Sequence, residues 1–221
     1  MEMTVPHMKR NVTLLALCQG YAQTSVTVVI SVSALAALTI IEDKSLATLP
    51  HAFMWMATAL AATPASMLMR KYGRRAGFSI GAIFGYAGCL LCALGLDFGN
   101  FWVFIAGTSC MGAFNAFNQY LRFAAAETAT DSFRPKAISF VIGGGIIAAF
   151  VGGTLAGKTG MLLTPQFLAT YLVLAVMPIL FAITIQFVRM PEPDAPVRKP
   201  GEKQSTGRPL LEIMKQPAFI V

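Results

Sequence analysis

A chain of 221 residues that is 56% hydrophobic and only 12% charged lies far from the composition of soluble globular domains, where about a quarter of residues carry charge. A soluble domain of this size needs a charged shell however large its core, so the composition excludes an ordinary water-soluble enzyme. The net charge of +7 and pI near 9.5 have to be read from where the charges fall before they say anything about nucleic acid.

In chain order, charged residues bound six uncharged stretches: 11–41, 45–69, 76–96, 98–121, 137–157 and 159–188. Each reaches the roughly 20 residues that a helix needs to cross a bilayer. The alternating pattern of a membrane β-barrel is absent. The expectation is therefore an all-α membrane protein with about six transmembrane helices. Lys9 and Arg10 ahead of the first stretch resemble the basic start of a signal peptide, but that stretch far exceeds the usual ~7–15 apolar residues. It reads as a span.

Six spans put Lys9, Arg10, Arg70, Lys71, Arg74, Arg75, Arg134, Lys136 and six basic residues from Arg189 to Lys215 on one side, with only Lys44 and Lys158 on the other. This is the positive-inside pattern. It predicts a multi-pass plasma-membrane protein with a cytoplasmic N-terminus, and it makes the basic charge a topology signal rather than a sign of nucleic-acid binding.

The first span carries Gln19 and Gln23 on one helix face, with Tyr21, Thr24, Ser25 and Thr27 nearby. Amides both donate and accept hydrogen bonds and suit a polar uncharged or zwitterionic solute. They could equally tie helices together. In the third span Gly77, Gly81 and Gly85 recur every four residues, and in the fifth Gly145, Ala149, Gly153 and Gly157 do so, a spacing that lets helices approach closely in lipid. The four cysteines, Cys18, Cys89, Cys92 and Cys110, all fall in spans. Cys89 and Cys92 have redox or metal spacing without a second pair or a histidine, and read as buried small apolar residues.

The fourth span holds the most informative set. Asn115, Asn118, Gln119 and Arg122 stand at i, i+3, i+4 and i+7, one face of a helix. Polar side chains and a charge are costly in lipid, so the stripe is expected to line a watery cavity or face partner helices. Arg122, late in the span, could instead snorkel to the headgroups. Beyond the sixth span, 190–209 is rich in proline and charge and reads as a cytoplasmic linker. Residues 210–221 then read as the start of a seventh, truncated span, against the alternative of an interfacial tail. The expected domains are thus a bundle over 1–189, the linker over 190–209 and the new span over 210–221. No catalytic or phosphate-binding motif accompanies His7 and His51, so no enzyme is expected.

The loop between spans two and three, 66–75, reads Ser-Met-Leu-Met-Arg-Lys-Tyr-Gly-Arg-Arg. It resembles the signature loop of the major facilitator superfamily, G-x-L-a-D-[RK]-x-G-[RK]-[RK]. Leu68, Lys71, Gly73, Arg74 and Arg75 match, Ser66 is a small substitute for glycine, and Arg70 replaces the acidic residue that helps latch the family's cytoplasmic side. Glu127 and Arg134 fit the acid and the base that flank the loop between spans four and five. Gly107 stands where proton-coupled members often carry arginine, and 152–157 only partly match the antiporter pattern, with Gly153 in place of proline. Residues 69–75 (Met-Arg-Lys-Tyr-Gly-Arg-Arg) together with 122–127 are also similar to a bacterial branch that includes riboflavin-type importers.

The resemblance implies the first six-helix half of such a fold, two inverted three-helix repeats, in a bacterial inner membrane. It implies alternating-access transport of a small solute with a second six-helix half as partner and no bound cofactor. Gln19, Gln23, Asn115, Asn118, Gln119 and Arg122 would line the cavity. Arg70, Lys71, Gly73, Arg74, Arg75, Glu127 and Arg134 would act in cytoplasmic gating. The alternative is a non-transporting six-helix module that assembles with another membrane protein.

Overall fold

The computed structural model describes residues 7–190, and over them the chain is helical, with no strand. The helices are α1 (Met8–Ala37), α2 (Leu49–Tyr72), α3 (Arg74–Asp97), α4 (Phe101–Asn118), α5 (Leu121–Glu127), α6 (Arg134–Thr159), α7 (Leu168–Leu174) and α8 (Val176–Gln186). The expectations for 190–209 and 210–221 lie outside the described residues, Met190 aside.

Among the described residues five helices are long and apolar enough to cross a membrane, taking α7 and α8 as one. The fourth crossing is made by α4 and α5 together. It is not the continuous span that its uncharged stretch predicts, because the helix is interrupted at Gln119 and Tyr120. There the Tyr120 amide donates to Phe117 O, three residues back rather than four, a tightened turn. The sixth crossing is interrupted at Ala175, where Pro178 has no N–H to offer the Leu174 carbonyl one turn earlier.

Local chemistry fixes the reversals. Gly73, between α2 and α3, has φ 85° and ψ 159°, a region essentially confined to glycine. The matching glycine of the 66–75 loop is therefore demanded by the backbone itself. Asn100 caps α4, its Oδ1 accepting from the Trp102 and Val103 amides at 3.0 and 3.2 Å, which satisfies donors the helix cannot.

The pairing of spans carries an internal symmetry. Span one packs along span five (α1 on α6), and span two packs along span four (α2 on α4); span three meets span four, and span six meets span one. Advancing every span number by three maps each of these pairs onto the other. Since successive spans alternate direction, a shift of three also inverts them, so the bundle is two inverted three-helix repeats. Spans two and five are the outlying ones, with only 22% of each apolar window buried. Large apolar side chains such as Leu60, Ile83, Ile147 and Phe150 are exposed, an arrangement suited to lipid or partner helices rather than water.

Close backbone approach holds the spans together. A Cβ on Gly107 would lie 2.6 Å from both Cys92 N and Cys92 Sγ, and one on Gly112 would lie 2.1 Å from Met54 O. Gly77, Gly81 and Gly85 face Met69, Phe117 and Phe114, as their spacing predicts. The fifth span corrects the sequence reading. Its packed face is Ala137, Val141, Gly145, Ala148, Gly152 and Ala156, while Gly153 and Gly157 have nothing within 4 Å of a built Cβ. The stripe through Gly145, Ala149, Gly153 and Gly157 fails because contact persists along a face that advances by three as well as by four. Cys18, Cys89 and Cys92 are buried and Cys110 is half-buried, all four free.

Candidate functional site

One end of the bundle gathers the basic residues. Met8 Sδ lies 3.9 Å from Thr130 Oγ1, Asn11 donates to Arg189 O at 2.8 Å and accepts from Arg189 N at 3.2 Å, and Arg75 Nη2 donates to Val188 O at 2.7 Å. The start of α1, the α2–α3 reversal, the end of α5 and the end of α8 therefore lie side by side. Asn11 is a structural tie that the sequence reading missed; a lone asparagine at a helix start gives no signal of a partner 178 positions away.

At this end Arg74 forms a two-pronged ion pair with Glu127, Nε to Oε2 and Nη2 to Oε1. It crosses from the start of α3 to the end of α5 and lies on the wall of a pocket of about 470 Å³ shared with Tyr120, Phe123 and Arg134. Arg134 Nη1 lies 3.0 Å from Asp131 Oδ1. Arg70 and Lys71 are exposed, with Lys71 Nζ 5.0 Å from the centre of the Tyr72 ring. Glu127 thus takes its partner from Arg74 of the α2–α3 reversal rather than from Arg134 across its own loop.

Deeper in the bundle a cleft of about 410 Å³ opens between spans one, four and five. Gln19 and Gln23 of α1 face it from one side, and Asn118, Gln119 and Arg122, at and beyond the break in span four, face it from another. The third wall is apolar: Ile142, Gly145, Ile146, Ala149 and Phe150 of α6. Sequence reasoning did not find this wall, because an apolar cavity lining and a lipid-facing surface look alike in one sequence.

The amides differ in what they are already doing. Gln119 accepts from Arg122 Nη2 through its Oε1, and Arg122 Nε lies 3.4 Å from Gln119 O. Arg122 has no carboxylate within ion-pair distance among the described residues. Gln19 and Gln23 make no side-chain hydrogen bond among the described residues. Asn118 is buried, and its Oδ1 is shut from solvent with no donor among the described residues, a state that costs about 1–3 kcal/mol.

Asn115 stands apart from the expected cluster. It is buried between spans four and two, its Nδ2 3.5 Å from Thr58 Oγ1, which itself lies 3.0 Å from Gly112 O. Asn115 and Asn118 both lie in the regular part of α4, and three residues of helix set their side chains about 60° apart, so one edge of the face meets span two and the other meets the cleft. Gly107 is likewise no cavity position: it sits at a close approach of α3 and α4, where no arginine side chain fits.

A sequence profile of the Major Facilitator Superfamily matches residues 12–221. The chain belongs to the major facilitator superfamily. The riboflavin transporter RfnT of Brucella anthropi is 34% identical over 215 residues, covering 96% of this chain and 53% of that protein. The uncharacterized MFS-type transporter YdeG of Bacillus subtilis is 22% identical over 206 residues, 88% of this chain and 48% of that protein. The chain spans about half the length of the curated relatives it matches. No solved structure matches it at a significant level. As a major-facilitator half, the chain is a multi-pass membrane protein of a transporter family rather than an enzyme family. The Arg74–Glu127 pair and the Gly73 reversal fall within the loop region that carried the resemblance.

Proposed function

We propose that this chain is the first half of a secondary transporter that moves a riboflavin-like solute across a bacterial inner membrane by alternating access, with its N-terminus in the cytoplasm. The observation that carries the reading is the cleft in which Gln19, Gln23, Asn118, Gln119 and Arg122 converge. Intramembrane polar groups of this kind are expensive unless they face a cavity or one another, and Gln19, Gln23 and Asn118 make no side-chain hydrogen bond among the described residues. The solute class is drawn from the relative named as a riboflavin transporter. Its chemistry suits the cleft: flavins combine ring carbonyls and N–H groups, which amides and a guanidinium bind, with a flat apolar face for Ile146 and Phe150.

Major-facilitator folds place solute at the midplane between two six-helix halves that rock about it. On this reading the second half closes the open side of the cleft, and Arg70–Arg75, Glu127 and Arg134 work the cytoplasmic gate. Arg70, where the family's latch is acidic, alters the charge that the other half must meet. The positive-inside distribution supports the orientation.

The test is uptake by the full-length protein reconstituted in liposomes. Riboflavin should accumulate inside, and Gln19→Ala together with Gln23→Ala should reduce uptake without reducing the amount of protein inserted. Full uptake by that double variant would remove α1 from the solute path.

A further inference from the structure

Asn118 is the most deeply held polar group of the cleft, 2% exposed, with no side-chain hydrogen bond among the described residues and an Oδ1 closed off from any donor. Its neighbours on the same span are engaged: Asn115 with Thr58, and Gln119 with Arg122. Burying an amide beside engaged amides and leaving it unpaired makes sense if something outside the protein pairs with it.

The chemistry of that something follows from the amide. A primary amide presents an N–H donor beside a carbonyl acceptor in one plane. It matches a ring edge that carries an acceptor beside a donor, and two parallel hydrogen bonds result, the geometry by which Asn and Gln read adenine. Because Oδ1 is shut from solvent as the side chain stands, the pairing requires Asn118 to turn toward the cleft it lines, and a half-turn about χ2 exchanges its two ends, so either order of donor and acceptor can be met.

The opposite side of the cleft leaves room for such an edge. A Cβ on Gly145 would lie 3.3 Å from Gln19 Cγ and 3.5 Å from Gln19 Nε2, so glycine there lets the Gln19 side chain lie against α6 instead of being pushed across the opening.

Resting on the reading of the cleft as a solute site, we infer that Asn118 is the specificity-determining residue. It recognises an uncharged planar heterocycle edge with adjacent ring N–H and C=O, the edge of a lactam or cyclic imide. Arg122 takes a further carbonyl or anionic group and does not select the ring.

The experiment is binding by the full-length protein, read by flavin fluorescence quenching, with two probes: riboflavin and riboflavin methylated at its imide nitrogen N3. The wild type should bind riboflavin at least about tenfold more tightly than the methylated probe, because methylation leaves the buried amide unpaired. Asn118→Leu should weaken riboflavin binding by about the same factor and bind the two probes alike. Arg122→Lys should keep the preference between them. Equal binding of both probes by the wild type overturns the assignment while leaving the solute site in place, and this comparison needs no variant to fold. A preference retained in Asn118→Leu also overturns it. Binding of neither probe by the wild type overturns the solute reading and this assignment with it.

Discussion

Arg74 grips Glu127 with two adjacent nitrogens, Nε on Oε2 and Nη2 on Oε1, joining the start of α3 to the end of α5. The parallel fork is the strongest form of this contact and the most demanding of geometry. Yet the Glu127 side chain is 49% exposed, and solvent-screened pairs contribute only about 0.2–1 kcal/mol. The pair is better suited to fixing the relative position of two spans than to holding the protein folded.

Glu127→Gln and Arg74→Lys should therefore reduce solute uptake while changing unfolding free energy by no more than about 1 kcal/mol. Exchanging the residues, Arg74→Glu with Glu127→Arg, should recover part of the loss. Uptake and thermal unfolding measured on the same preparations check both halves of this expectation. Normal uptake in Glu127→Gln would remove the pair from gating.

Much of this arrangement was legible in the sequence, for physical reasons that differ from place to place. The spans announced themselves because lipid excludes charge; Gly73 stood out only through the loop's resemblance to a family signature, and the structure adds the reason, a backbone reversal that allows little else. Five of the six cavity residues gather because Gln19 and Gln23 stand one turn apart on α1, and Asn118, Gln119 and Arg122 follow one another through the break. Asn115 could not be placed, since the periodicity of one helix does not say that the edge of its polar face meets Thr58 of span two instead of the cleft. The packed face of α6 was misread because a strict period of four from Gly145 leads to Ala149 and Gly153, while the buried face takes a step of three to Ala148 and continues through Gly152. The apolar wall at Ile146 and Phe150 carries no sequence signal at all.

The corrected helix packing makes its own prediction. Gly112→Ala and Gly107→Ala drive a methyl into neighbouring backbone at 2.1 and 2.6 Å, and overpacking of this kind costs about 1–3 kcal/mol. Gly157→Ala meets nothing within 4 Å and should be neutral or gain up to about 1 kcal/mol in helix propensity. Thermal unfolding in detergent separates these outcomes. Equal destabilisation by Gly112→Ala and Gly157→Ala would contradict the packing register of spans four and five.

Topology is checked independently. Met8, Gly73, Asp131 and Arg189 share the basic end of the bundle, through the contacts of Met8 with Thr130, Asn11 with Arg189 and Arg74 with Glu127. Reporter fusions at Gly73 and Asp131 should register in the cytoplasm, and those after Glu42, Asp97 or Lys158 outside. A cytoplasmic signal after Asp97 would break the six-span arrangement.

Arg122 offers the sharpest contrast between two physical roles. Its guanidinium reaches back to Gln119, both to Oε1 and to the backbone oxygen at 3.4 Å, and it lines the cleft without an acidic partner among the described residues. If it holds a carbonyl or anionic group of the solute, Arg122→Ala should reduce uptake strongly with membrane abundance unchanged. Arg122→Lys should then rescue only in part, because lysine keeps the charge but loses the planar fork that engages Gln119 and an acceptor together. If Arg122 only snorkels to headgroups, a lysine of similar reach should serve equally well. Gln119→Ala distinguishes the two further: it removes the brace from the guanidinium, so it should weaken uptake by the Arg122 protein but add little in the Arg122→Ala background, the non-additivity of coupled neighbours. Full uptake in Arg122→Lys, with strictly additive losses from Gln119→Ala and Arg122→Ala, would leave Arg122 as an interfacial anchor and shift solute recognition to Gln19, Gln23 and Asn118.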